Sequence, residues 1–136
     1  MSEVPEDAVL TTATELLYRQ VHPTQMPNGT MSSEAFNPSA RDKDLLSTLR
    51  EHVGPEEAYR RWTETNGFLS VGTYAVSVGE VDDQGLQAID DAATTEPDHA
   101  SIDYTSAQGK SERKRRSRKL RDAAVARGCL HRPHSP

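Results

Sequence analysis

The chain predicts an α+β domain, with a small mixed sheet of about three or four short strands, two central helices and a basic C-terminal helix. Three observations carry this expectation. Residues 16–21 and 99–104 alternate apolar and polar side chains as half-buried strands do, and the stretch between them holds segments with helical spacing and helix-start signals. Ten of the sixteen Lys and Arg residues fall between Lys110 and Pro136.

The lead-in, 1–14, is polar, acidic and rich in Thr, and is expected to be loosely held. Leu16 to Val21 reads as the first strand, with Leu17, Arg19 and Val21 on one side and Leu16, Tyr18 and Gln20 on the other. Pro23 stops it, because proline removes a backbone donor. A long irregular loop follows, with Asn28-Gly29 as a tight turn.

Between Ser39 and Val53, Leu45, Leu46, Leu49 and Val53 form one helical stripe, with Ser39 and Asp42 resembling a capping box. The spacing predicts a helix; a short strand at Leu45 to Thr48 is the alternative. Gly54 then closes that helix and Pro55 opens the second, whose first turn carries Glu56 and Glu57 at the positive end of the dipole. Tyr59 and Trp62 are expected to form its buried side, and Asn66-Gly67 its end.

Phe68 to Val81 reads as the central strand of the sheet, with Tyr74, Val76 and Val78 on one face and Thr73, Ala75 and Ser77 on the other. Val81 to Gly85 turn the chain into a short strand at Leu86 to Ile89, and an acidic loop leads to His99 to Tyr104, with His99, Ser101 and Asp103 outward. Ser111 to Arg127 has helix-forming composition, but Leu120, Ala123 and Ala124 give it something to bury only in its second half. The domain is thus expected over 15–128 including the helix 111–127, with 129–136 as an irregular tail.

Composition bounds the function. A chain of 136 residues, 34% hydrophobic and 27% charged, with a mean hydropathy of −0.76, builds one domain around a small core. No apolar run approaches the roughly 18–20 residues of a membrane span. The start MSEVPEDAVL has neither the basic beginning nor the apolar run of a signal peptide, and the lone Cys129 rules out an internal disulfide framework. A cytoplasmic location and no membrane partner are expected.

The net charge of −5 conceals a segregation. Residues 110–136 hold ten basic and two acidic side chains, a net of +8, whereas 1–109 hold six basic and nineteen acidic, a net of −13. The run KSERKRRSRKLR suits a polyanion, because each neutralised phosphate releases condensed counterions. Its candidate contacts are Lys110, Arg113, Lys114, Arg115, Arg116, Arg118, Lys119 and Arg121. It has no aromatic residue to stack a base and no Asn or Gln to read a base edge, so sequence-specific recognition is not expected. Its plainer role is a solvated helix, or one docked on the acidic body.

Catalytic candidates are Arg19, His22 and His99. Arg19 and His22 lie where a strand meets a long loop and are suited to hold an anion; the plainer reading pairs Arg19 with a carboxylate and makes His22 a cap. Asp98, His99, Ser101 and Asp103 supply Ser, His and Asp without a G-x-S-x-G elbow. Cys129, His131 and His134 invite a metal, but a structural zinc site usually needs four ligands on a fixing turn, so none is expected. No phosphate loop or dinucleotide fingerprint occurs, and no cofactor is expected.

The blocks LLYRQVHP, SSEAFNPSARDKDLLST, GTYAVSVGEV, PDHASIDY and AVARGCLHRP resemble a family of short uncharacterised bacterial proteins. The resemblance spans Leu16 to Pro133 and implies one domain that includes the basic helix, with no activity attached. The opening Tyr-Arg strand, His-Pro and Phe36-Asn37-Pro38 are also similar to the start of RES-type toxins of ADP-ribosyltransferase-like fold. That likeness implies Arg19 for the phosphates of NAD, with a downstream Ser and Glu; Glu80 is the nearest strand-end candidate, and the glycine-rich segment expected before Phe36 is missing.

The leading expectation is therefore a small interaction module that binds a protein partner, or non-specifically a polyanion such as nucleic acid, through its basic helix. The alternative is an NAD-handling enzyme or toxin-system component.

Overall fold

A computed structural model describes residues 8–38 and 44–133. Five strands form one antiparallel sheet: β1 (Leu16–Gln20), β2 (Leu45–Arg50), β3 (Thr73–Ser77), β4 (Gln87–Asp90) and β5 (His99–Asp103), in the order β3-β1-β2-β5-β4. Among the described residues three α-helices accompany them: α1 (Pro55–Arg60), extended by a π turn over Arg61–Thr65, α2 (Val78–Asp83) and α3 (Lys110–Arg127). The α+β class holds, with five strands rather than three or four.

Two segments change type. The stripe Leu45, Leu46, Leu49, Val53 belongs to a strand and a 3-10 turn, not a helix; β2 alternates exposed Leu45 and Ser47 with buried Leu46 and Thr48, and five residues pair with β5. Asp44, at φ 74, turns the chain into β2 through a left-handed conformation that no helix tolerates. The expected cap at Ser39 and Asp42 lies outside the described residues.

The strand read over Phe68 to Val81 shrinks to Thr73–Ser77, because Ser77 begins a helix: its hydroxyl accepts from the Glu80 amide while the Glu80 carboxylate accepts from the Ser77 amide. β3 is also an edge strand rather than the centre, a place taken by β2. An isolated bridge from Thr73 to His131 covers part of that edge, so the terminal segment packs onto the sheet. Gly72 permits the approach: at φ 155, a Cβ there would lie 2.6 Å from Cys129 Sγ and 2.8 Å from His131 O.

One sheet face carries the larger core. Leu17, Val21, Leu46, Val76, Ala100 and Ile102 meet Phe36, Val81, Tyr104, Leu120 and Ala124, contributed by the turn at Ser33–Phe36, α2, the end of β5 and α3. Leu10 joins this core, and its amide donates to Ala88 O at 2.8 Å while Val9 bridges to Ile89. The opposite face has a thinner cover: Tyr18, Ala75 and Ala58, with half-buried Leu16, Leu49, Val53 and Leu130. On α1, Ala58 is the fully buried residue, and Tyr59 and Trp62, expected inward, are only half-buried. Tyr59 tilts against His131 with ring centroids 5.0 Å apart, and Trp62 against Phe68 at 4.6 Å.

Tyr104 ties the larger core together. Its hydroxyl donates to the Phe36 carbonyl and lies 3.2 Å from Ser117 Oγ, so the loop turn, β5 and α3 meet at one buried oxygen. Ser117 thereby gives the first half of α3 a buried anchor that its apolar pattern does not reveal. No helix among the described residues is long and apolar enough to cross a membrane.

Candidate functional site

Two features compete for the functional role: the outer face of α3 and a cleft on the thinly covered face of the sheet. α3 is docked, not free. Ser117, Leu120 and Ala124 face the core, and five of its guanidinium groups find partners within the molecule. Arg113 pairs with Asp44 and donates to Ala107 O; Arg127 holds Glu80 through two bonds of 2.9 Å and also reaches Ala75 O. Arg115 and Arg116 both pair with Glu112, and Arg121 pairs with Asp122 and donates to Met31 O.

The eight expected polyanion contacts are therefore not equivalent. Lys110, Lys114, Arg118 and Lys119 are exposed and have no side-chain partner among the described residues. Lys110, Lys114 and Arg118 follow one another at four-residue intervals and so share a face, in steps of about 6 Å along the axis. Lys119 lies about 100° further around the helix than Arg118.

A shallow cleft, with a cavity volume of about 30 Å³, opens where α1 leans over β1, β2 and β5. Arg19, Gln20, Ser47, Leu49, Arg61, Trp62, Glu96 and His99 are among the residues that line it. Its origin is a parting of strands: β1 pairs with β3 through five residues but with β2 only at Leu17↔Arg50 and Tyr18↔Leu49. Arg19 fills the resulting gap, donating from Nε to Ala35 O at 2.8 Å and from NH1 to Ser47 O at 3.0 Å. Carbonyls that lack a ladder partner are satisfied in this way.

Of the three catalytic candidates, Arg19 and His99 line this cleft and His22 does not. The His22 ring accepts from the Thr24 amide at 3.1 Å and caps the 3-10 turn at Pro23–Gln25, which is its plainer role. His99 and Ser101, expected to face outward into solvent, are buried under the loop after β4. Asp91, on that loop, takes His99 Nδ1 on one carboxylate oxygen and the Ser101 hydroxyl on the other, each at 2.6 Å. Asp91 and Ser47 were not singled out in the sequence, since no short motif links either to His99.

Beyond the cleft, Asp98 sits at φ 67 just before β5 and receives His52 Nε2 at 2.6 Å and Arg61 NH1 at 3.0 Å. The His52 hydrogen bond, followed by that of Arg61, holds its carboxyl below the usual range. Burial pushes Glu80 upward, but Arg127 and the Ser77 amide outweigh it and leave Glu80 lowered as well. Glu80 is thus committed to α3 and to the start of α2, away from the cleft. Cys129 Sγ contacts His131 O at 3.3 Å, and His134 lies outside the described residues.

A lowered folded pKa means that the folded state binds protons less readily than the unfolded chain. Glu80 and Asp98 then add stability that is complete above the ordinary carboxylate pKa values, 4.5 and 3.8, and is lost as pH falls through the lowered ones. The expected result is a drop in urea midpoint between about pH 6 and about pH 3, made shallower in Arg127→Ala. An unchanged slope in that variant would show that the Glu80 pair carries none of the acid sensitivity.

Comparison with family models, curated proteins and solved structures gives no match.

Proposed function

We propose that the protein is an interaction module that binds a polyanion, with the phosphate backbone of nucleic acid as the best chemical fit, through the outer face of α3. The observation that supports this reading is the set Lys110, Lys114, Arg118 and Lys119, exposed and without side-chain partners among the described residues on a helix held rigid by its buried side. The helix offers charge but no stacking or base-reading group, so it contacts phosphates and does not discriminate sequence. Of the eight expected contacts, Arg113, Arg115, Arg116 and Arg121 are paired within the molecule, which leaves four for the binding set.

Four phosphate contacts imply a slope of log affinity against log salt near −3.6, at about −0.9 per phosphate, and a loss of about a hundredfold between about 50 and about 200 mM salt. Fluorescence anisotropy with a labelled random-sequence duplex measures it. Replacing Lys110, Lys114, Arg118 and Lys119 together by Gln is expected to flatten the slope while leaving the thermal midpoint in place. Salt-independent binding, or equal affinity in that variant, overturns the reading.

The second reading, an NAD-handling enzyme, is supported by Arg19 standing at the same cleft as Ser47 and Glu96. Glu80 does not serve it, because its carboxylate is held by Arg127. Calorimetry with NAD tests this reading: binding that is lost in Arg19→Lys, which keeps the charge but not the planar fork, supports it. No heat of binding in the wild type removes it.

A further inference from the structure

A carboxylate only accepts hydrogen bonds, so Asp91 places the proton of the neutral His99 ring on Nδ1 and leaves the lone pair on Nε2. Among the described residues no group bonds that nitrogen, although the His99 side chain is only 7% exposed and lines the cleft. An oriented imidazole with one nitrogen open to a concave surface is the arrangement of a general base.

A hydroxyl stands nearby. In the β2–β5 ladder Ser47 is opposite Ser101 and Leu49 is opposite His99, so Ser47 and His99 are diagonal neighbours on one sheet face. Diagonal Cβ atoms in a sheet lie within about 7–8 Å, a span of which the imidazole covers about half. Ser47 is exposed, lines the same cleft and has no partner for its hydroxyl among the described residues. Its carbonyl oxygen accepts from Arg19 NH1 at 3.0 Å, which fixes the backbone that carries Ser47.

We propose that Ser47, His99 and Asp91 form an acyl-transfer site that hydrolyses carboxylic esters with a small acyl group. Ser47 Oγ attacks the ester carbonyl as its proton passes to His99 Nε2, giving a tetrahedral oxyanion. Collapse breaks the acyl carbon–oxygen bond, and the leaving alcohol takes the proton from His99. Water then attacks the acyl-Ser47 ester, giving one proton to His99, which returns it to Ser47 Oγ as the carboxylic acid departs. Asp91 is the positioning residue, and the Ser101 hydroxyl in turn fixes Asp91.

The test uses the full chain with a fluorophosphonate probe, peptide mapping by mass spectrometry and p-nitrophenyl acetate as substrate. Phosphonylation at Ser47 and not at Ser101 is expected, with labelling lost in Ser47→Ala and reduced at least about a hundredfold in His99→Gln. Asp91→Asn is expected to lower kcat by about 10²-fold or more with KM unchanged, a split that a purely structural role would not produce. Near-ultraviolet circular dichroism verifies that each variant is folded. An unlabelled Ser47 in the folded wild type, or equal labelling in folded His99→Gln, overturns the proposal, and the wild-type result stands without any variant. Neither outcome touches the reading of α3.

Discussion

Tyr104→Ala is expected to lower unfolding free energy by about 3–5 kcal/mol, the usual cost of removing a large buried aromatic ring. That is a large share of the roughly 5–15 kcal/mol that holds a domain together. Tyr104 has no exposed surface, and its hydroxyl joins the Phe36 carbonyl and Ser117. Tyr104→Phe keeps the ring and strands those partners, for an expected loss of about 1–3 kcal/mol. The difference between the two urea midpoints separates packing from hydrogen bonding, and equal losses would show that the ring adds nothing.

The same side chain sets an alkaline limit. Burial, opposed by the Ser117 hydrogen bond and by the charges of Arg19, Arg113 and Arg116, leaves the phenol pushed up to about 12 from an ordinary 10.0. Because the folded pKa is raised, the contribution is complete below pH 10 and is lost as pH rises toward 12. About two units correspond to about 3 kcal/mol. Tyr104→Phe is expected to lose that dependence, because its ring has no proton to release.

The second large effect is expected at Leu120. Leu120→Ala deletes a side chain that is 1% exposed in the contact between α3 and the sheet, at a cost of about 2–5 kcal/mol. Val125, on the same helix but 51% exposed, is the comparison, and Val125→Ala is expected to stay within about 0.5 kcal/mol. If the two variants unfold at the same urea concentration, α3 is not part of the core. The docking described above, with Arg113 and Arg127 tied to Asp44 and Glu80, would then contribute nothing to the fold.

The segment Leu45 to Leu49 illustrates where sequence reading reaches its limit. Leucine at adjacent and four-apart positions fits a helical stripe and a strand equally, and local spacing does not decide between them. The decision came from β5, whose residues 99–103 pair with it across fifty or more positions of chain. Val78 to Asp83 failed for the opposite reason. Its valines read as a strand, but the Ser77 and Glu80 pair was in view and is a local helix signal.

The candidate site divides in the same manner. Arg19, Ser47 and His99 lie in three separate stretches of sequence, and no stretch by itself shows which of its side chains meet. Asp91 lay in a loop read only as acidic, and its contact with His99 exists because that loop folds back over β5.

From its own pattern the chain determined what short-range physics governs. Alternation placed β1 and β5; Pro55 and Gly128 bounded helices; the crowding of Lys and Arg marked α3 as a charged helix. Only the tertiary structure decided which charges remain available, which strand is central and which side chains share a cleft. The reason is distance along the chain: Arg127 meets Glu80, Arg19 meets Ser47 and Tyr104 meets Phe36 across 47, 28 and 68 positions, and no local spacing encodes such pairs.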